Sequence, residues 1–92
     1  MRMKNNDLLN AYINYNATED MTNYSSNLYI TKPYFLVNYD TIIAIYYEGK
    51  IYVSDRKYSA TTSKHQNYLV RSGAERIPHE TFENYINLIR GR

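Results

Sequence analysis

The chain has 92 residues, a formal net charge of +2, twelve tyrosines, and no cysteine or tryptophan. This length predicts one domain, residues 1–92, near the lower limit at which a chain folds on its own core. The lack of cysteine excludes disulfide bonds and thiolate metal sites. The small net charge argues against a strong general nucleic-acid binder.

The sequence has no apolar run of the roughly 20 residues that are needed to span a bilayer. The basic N-terminus is not followed by the apolar segment of a signal peptide. We therefore expect a soluble intracellular protein without a membrane partner.

The first predicted element is a helix over roughly residues 6–16. Asn5, Asn6 and Asp7 offer side chains that can cap its start. Apolar residues then recur on one helical face, at Leu8, Leu9, Tyr12 and Ile13.

The middle of the chain predicts strands. Residues 28–30 form a short apolar run, and Pro33 marks a break or a sheet edge because proline cannot donate to a ladder. Residues 34–39 and 41–47 are rich in β-branched and aromatic residues. A bend or bulge over residues 38–41 would separate these two strands.

The second of these strands is apolar on both faces, which predicts a central strand that a helix covers. Strict alternation would place Ile43, Ile45 and Tyr47 on one face and Ile42, Ala44 and Tyr46 on the other. A two-residue turn, Glu48-Gly49, then leads into a strand over residues 50–54 and forces antiparallel pairing. In that register Ile45 opposes Tyr52 and Ala44 opposes Val53.

Two more helices are predicted after the hairpin. Thr61, Thr62 or Ser63 would cap the first, which ends near Ser72 with Gly73 as its C′ residue. Pro78 suits the first turn of the last helix, whose buried stripe is Phe82, Tyr85, Ile86 and Ile89. The expected fold is α+β: a small antiparallel sheet of about three strands with a central β-hairpin, packed against an N-terminal helix and C-terminal helices.

His65 is the most obvious candidate for acid–base chemistry. A general base needs an orienting partner and a nucleophile within reach, and Ser63 and Thr62 are poor partners because they lie too close in sequence. A structural role is the more frequent one for such a histidine. His79 is the other histidine, and no HxxxH or HxH spacing supports a metal site.

The run Thr61-Thr62-Ser63-Lys64 combines hydroxyl groups and a lysine at a helix start, which can hold an anion. A P-loop would need glycines before the lysine, and this chain has none there. Helix capping alone is the simpler explanation, and the two roles are compatible.

A basic stretch interleaved with tyrosines surrounds this run. Cations beside aromatic rings suit single-stranded nucleic acid, because they neutralise phosphates and stack on bases. They suit an acidic protein groove equally well, and they can also form a merely solvated face. The residues concerned are Arg56, Lys57, Tyr58, Lys64, Tyr68, Arg71 and Arg76.

Residues 38–44 read Asn-Tyr-Asp-Thr-Ile-Ile-Ala, and residues 58–67 read Tyr-Ser-Ala-Thr-Thr-Ser-Lys-His-Gln-Asn after the hairpin. This middle third of the chain resembles small uncharacterised bacteriophage proteins with a Tyr-Asp-Thr-Ile strand, a hairpin and a Tyr-Ser-x-Thr-Thr-Ser-Lys-His turn. The resemblance implies a characteristic strand-to-helix turn, and it carries over no catalytic residue. The turn would be held by Thr61, Thr62, Lys64 and His65.

A phage origin implies a host partner. The chain is similar in size and composition to anti-CRISPR proteins, which occlude nucleic-acid channels or lock effector conformations. We therefore expect a non-enzymatic protein in the host cell cytoplasm that uses no cofactor. It would bind and inhibit a host nucleic-acid-targeting defence complex, such as a CRISPR nuclease ribonucleoprotein.

Two alternatives stay open: a small single-stranded RNA- or DNA-binding module, and an enzyme that uses His65 with a hydroxyl group. Tyrosine-rich sheet faces also leave a homodimer open. The expected partner-binding residues are Arg56, Lys57, Tyr58, Thr61, Thr62, Lys64, His65 and Arg71.

Overall fold

A computed structural model describes residues 2–14, 21–31 and 34–91. Within these ranges the chain forms ten elements, and none of the helices is both long and apolar enough to cross a membrane. The elements are β1 (Arg2–Met3), α1 (Asn5–Ile13), β2 (Thr22–Asn23), β3 (Leu28–Thr31), β4 (Phe35–Asn38), β5 (Thr41–Tyr47), β6 (Lys50–Ser54), α2 (Ala60–Arg71), β7 (Glu75–Ile77) and α3 (His79–Arg90).

One mixed sheet contains all seven of these strands, in the order β1-β2-β3-β4-β5-β6-β7. The inner pairings from β2 to β6 are antiparallel, whereas β1–β2 and β6–β7 are parallel. Parallel neighbours need a crossover connection, and α1 and α2 lie in these two connections.

The prediction of an antiparallel sheet with about three strands was therefore wrong. The two outer strands and β2 contain only two or three residues each. So short a run cannot display the alternation by which a strand is recognised in sequence. Both parallel pairings involve one of these short strands, so the mixed character of the sheet was missed with them.

Helices cover both faces of the sheet. On one face, the buried residues of α1 and α2 share a core with apolar residues of β3 to β6. The helical contributors to this core are Leu8, Leu9, Tyr12 and Leu69.

On the other face, α3 is the only described helix, and it packs on the central strands. Its stripe of Phe82, Ile86 and Ile89 is buried, with Tyr85 half-buried beside it, as the spacing predicted. The ring of Tyr85 stacks on that of Tyr47, with 4.6 Å between centroids.

A β-bulge in β5 changes which residues face which core. Leu36 pairs with Ala44 but Val37 pairs with Ile42, so Ile43 is an extra residue on β5. The expected strict alternation is therefore wrong for this strand. Ile43, Ala44 and Tyr46 belong to the core beneath α1 and α2, and Ile42, Ile45 and Tyr47 pack on the α3 side.

The β5–β6 hairpin has the predicted register, with Ile45 opposite Tyr52 and Ala44 opposite Val53. Its turn residues, Glu48 and Gly49, have φ angles of 54° and 78°. Two positive φ angles are what a type I′ hairpin turn requires. The predicted bend between β4 and β5 is a second such turn, in which residues 39 and 40 have φ angles of 51° and 64°.

The helix ends differ from their predictions. α1 begins at Asn5 after Lys4 and has no side-chain cap, and the predicted end at residue 16 lies outside the described ranges, as does Pro33. Ser59, rather than a residue of 61–63, caps α2 by accepting the N–H of Thr62. Pro78 is the N-cap of α3 and not a first-turn residue. The prediction for Gly73 is confirmed: it follows the C-cap of α2, with a φ of 113°.

Candidate functional site

One face of α2 lines an open cavity of about 370 Å³ against α1. The α2 residues recur at intervals of three and four, as required for one helical face. The residues that line it are Asn5, Asn6 and Leu9 from α1 and Thr61, Lys64, His65, Tyr68 and Arg71 from α2. The hydroxyl of Tyr68 donates to the side-chain carbonyl of Asn10 at 2.6 Å, which ties the two helices together beside this cavity.

A second cavity of about 290 Å³ lies between the start of the chain and the β2–β3 turn. Lys4, Tyr24 and Ser25 line it. Asn5, Thr61 and His65 line both cavities, so the two adjoin. We call the pair of cavities the α1–α2 cleft.

His65 occupies the junction of the cleft and is only 5% exposed. Its ring has no hydrogen-bond partner in the part of the chain that the structure describes. Burial, and after it the charge of neighbouring Lys64, lowers the pKa of His65 below its ordinary value. The protein therefore presents a neutral imidazole to the cleft at neutral pH, and neither ring nitrogen is bonded to a described residue.

This lowered pKa predicts how stability changes with pH. The unfolded chain takes up the His65 proton near its ordinary pKa of about 6.5, whereas the folded protein does so only at lower pH. The stabilising contribution of neutral His65 to the free energy of unfolding should therefore be fully present above about pH 6.5. It should be lost as pH falls from there through the pKa of His65 in the folded protein. Urea unfolding between pH 7.5 and 5 measures this loss, and His65→Gln should flatten it. Stability that rises on acidification in this range would contradict the assignment.

The basic side chains that line the cleft form no ion pair, hydrogen bond or ring contact with other described residues. Elsewhere, Lys50 pairs with Glu75 at 2.7 Å, and Arg76 donates to Asn67 at 2.7 Å. Arg56 lies over the ring of Tyr58 and Arg90 over that of Phe35, while Arg2 donates to the Tyr24 carbonyl. Among the described residues, the cations that form no such contact are Lys4, Lys57, Lys64 and Arg71. All of these except Lys57 line the cleft, and no carboxylate appears among the described residues that line it.

Buried amides hold the wall of the cleft in place. The side-chain amide of Asn23 donates to Asn5 at 2.8 Å and to Asn27 at 2.6 Å. The hydroxyl of Thr62 donates to the side-chain carbonyl of Asn38 at 2.5 Å, and Asn38 donates in turn to the Asn27 carbonyl. One hydrogen-bond network thus connects the starts of α1 and α2 through the β2–β3 turn and β4.

The structure brings together four of the eight predicted partner-binding residues, namely Thr61, Lys64, His65 and Arg71. Thr62 is buried and serves the network behind the cleft. The other three lie in the exposed connection before α2. Of these, Arg56 and Tyr58 line a different cavity of about 260 Å³ on the α3 side, and Lys57 between them is exposed.

Sequence reasoning missed the contribution of the N-terminal segment, above all Lys4 and Asn5. Nothing in their local sequence indicates a site, because they reach the cleft only through the pairing of α1 with α2. The α2 side could have been predicted, because the spacing of Thr61, His65 and Tyr68 places them on one helical face.

His79 has a separate set of partners at the start of α3. Its Nδ1 lies 2.7 Å from the hydroxyl of Ser54, its Nε2 lies 3.0 Å from the Glu83 carboxylate, and its backbone N–H donates to Asp55. Ser54 is fully buried, so these contacts fasten the end of β6 to α3. Within the described ranges, no three histidine or carboxylate side chains converge as a metal site would require.

No curated protein and no solved structure gives a significant match to the chain. The profile of a family of unknown function, DUF8033, matches residues 5–84. The matched segment begins at the first residue of α1 and extends into α3, so it includes both helices of the cleft. The chain therefore belongs to the DUF8033 family.

Proposed function

We propose that the protein is a non-enzymatic phage protein that binds and inhibits a nucleic-acid-targeting defence complex of the host. The α1–α2 cleft and its rim would be the contact surface. The observation that carries this proposal is the set of unpaired cations, Lys4, Lys64 and Arg71, around a cleft whose described lining contains no carboxylate. Such a surface selects a partner that presents negative charge, either carboxylates or phosphates. The resemblance to phage proteins is the reason to seek that partner in the host.

The second candidate is a module that binds single-stranded RNA or DNA through the same cleft. Tyr24, which is 65% exposed, and the half-buried Tyr68 favour it, because aromatic rings beside cations stack on bases. No comparable observation favours an enzyme that uses His65, since no hydroxyl group in the described part of the chain hydrogen-bonds to its ring.

A pair of charge-reversal variants tests the proposal. Lys64→Glu with Arg71→Glu reverses the rim of the cleft, whereas Arg56→Glu with Lys57→Glu makes the same charge change on the connection before α2. We expect the first double variant to weaken binding to a purified CRISPR effector–guide complex at least about tenfold, which corresponds to 1.4 kcal/mol. The second should retain nearly full binding and inhibition of target cleavage.

The measurement is inhibition of target cleavage across purified effector complexes of several types, with co-elution in gel filtration. Absence of inhibition and co-elution for every complex would reject the inhibitor proposal. Equal losses in both double variants would reject the cleft as its contact surface. Direct binding of a single-stranded oligonucleotide, falling steeply as salt rises, would instead support the second candidate.

A further inference from the structure

The α1–α2 cleft divides into two chemically different halves. The larger cavity is lined by Lys64 and Arg71, and the smaller one by the exposed ring of Tyr24 and by Ser25, with Lys4 beside them. Cations bind phosphate oxygens, whereas an aromatic ring and neutral polar groups suit the face and edges of a base. A phosphate at the Lys64–Arg71 end and a base against Tyr24 therefore fit the groups along the cleft, with Lys4 as a further cation in the smaller half.

The size of the cleft agrees with such a ligand. The larger half measures about 370 Å³ and the smaller about 290 Å³. Small-molecule sites typically start at about 300 Å³. Both cavities are open to solvent, so a ligand can enter without movement of the sheet.

His65 gives the independent reason to expect a ligand. An imidazole that is fixed by burial but not bonded to protein can bind a ligand through its ring nitrogens. His65 is only 5% exposed, forms no hydrogen bond with a described residue, and lines both halves of the cleft. Its ring nitrogens are not sealed from solvent, so a ligand in the cleft can reach them. A phosphate oxygen at the junction would accept a hydrogen bond from this ring and would favour its protonated form.

We infer that the α1–α2 cleft binds a nucleoside phosphate, with the phosphate held by Lys64, His65 and Arg71 and the base lying against Tyr24. This inference shares its site with the proposed function and rests on it only for that choice of surface. It needs no host partner, and the cleft would hold one nucleotide unit.

The test is an NMR titration of the isotope-labelled full chain with adenosine monophosphate (AMP). Adenosine and inorganic phosphate serve as the two partial probes. We expect saturable amide shifts in Asn5, Thr61 and Lys64, with a Kd for AMP below about 1 mM. Each partial probe should bind at least about tenfold more weakly, because each occupies one half of the cleft. The imidazole signals of His65 should report a higher pKa once AMP is bound.

Variants separate the cleft from general electrostatic attraction. Lys64→Ala with Arg71→Ala should weaken AMP binding at least about tenfold, whereas Arg56→Ala with Lys57→Ala should leave it unchanged. His65→Gln keeps a polar side chain and should weaken AMP binding while the two-dimensional NMR spectrum shows an intact fold. No saturable shifts, shifts confined to other surfaces, or equal affinities for AMP and adenosine would each overturn the inference.

The outcomes also separate this inference from the proposed function. A protein that inhibits an effector through Lys64 and Arg71 but does not bind AMP would leave the proposed function standing without the nucleotide site. A protein that binds AMP in the cleft but inhibits no effector would do the opposite.

Discussion

Replacing Phe82 with alanine is expected to lower the free energy of unfolding by about 3–5 kcal/mol, the usual cost of deleting a buried aromatic side chain. Phe82 is 1% exposed and lies in the core between α3 and the sheet. α3 is the only described helix on that face, so no neighbouring helix can close the cavity. Small domains have only about 5–15 kcal/mol of stability, so the variant should be close to unfolding at 37 °C. Urea unfolding followed by circular dichroism measures the loss.

Leu88 provides a matched control on the same helix. It is 54% exposed, so Leu88→Ala should change stability by less than about 0.5 kcal/mol. Similar small losses for both variants would mean that α3 does not pack on the sheet through Phe82. That result would contradict the packing of α3 on this face of the sheet.

The parts of the fold that were predictable are those fixed by local chemistry. The register of the β5–β6 hairpin follows from a two-residue turn with Gly49 at a position of positive φ. The buried face of α3 follows from the 3.6-residue period of its apolar residues. Both signals are contained within about a dozen neighbouring residues, so neither depends on the rest of the chain.

The sheet edges depended on distant contacts and could not be predicted. β7 pairs with β6 only after α2 has carried the chain across the sheet, and β1 pairs in parallel with β2 in a similar way. The sequence also gives no signal of the bulge at Ile43, because Ile42, Ile43 and Ile45 are equally suited to a strand. Which of them faces which helix is decided by pairing with β4.

The candidate site, like the fold, was predictable only in part. Thr61, Lys64, His65 and Arg71 were predicted together because they lie in one basic, hydroxyl-rich run, and their spacing on α2 is what brings them to one cavity. Arg56 and Tyr58 were joined to them by sequence proximity alone, yet the connection before α2 directs them toward the α3 side. Basic residues that are consecutive in sequence need not form one surface when the run extends from a loop into a helix. The helix distributes its side chains around its own axis, so they point in other directions than those of the loop.

Replacing Thr62 with valine is expected to cost about 1–3 kcal/mol, because an isosteric apolar side chain leaves the buried carbonyl of Asn38 without its donor. Thr62 is 4% exposed, and its hydroxyl donates to Asn38 at 2.5 Å. The same hydroxyl accepts from Ser59, the cap of α2. The bond therefore holds the first turn of α2 against β4, and with it one wall of the α1–α2 cleft.

Thr61→Val is the control for this variant, since it makes the same chemical change one residue earlier in the same helix. Thr61 is exposed and forms no hydrogen bond with the described residues, so its replacement should alter stability by less than about 0.5 kcal/mol. A double-mutant cycle of Thr62→Val with Asn38→Ala isolates the bond itself, and coupled sites show interaction energies of about 0.5–3 kcal/mol. Strictly additive losses would mean that Thr62 and Asn38 stabilise the fold independently. The start of α2 would then be held by its cap and its apolar contacts rather than by the network behind the cleft.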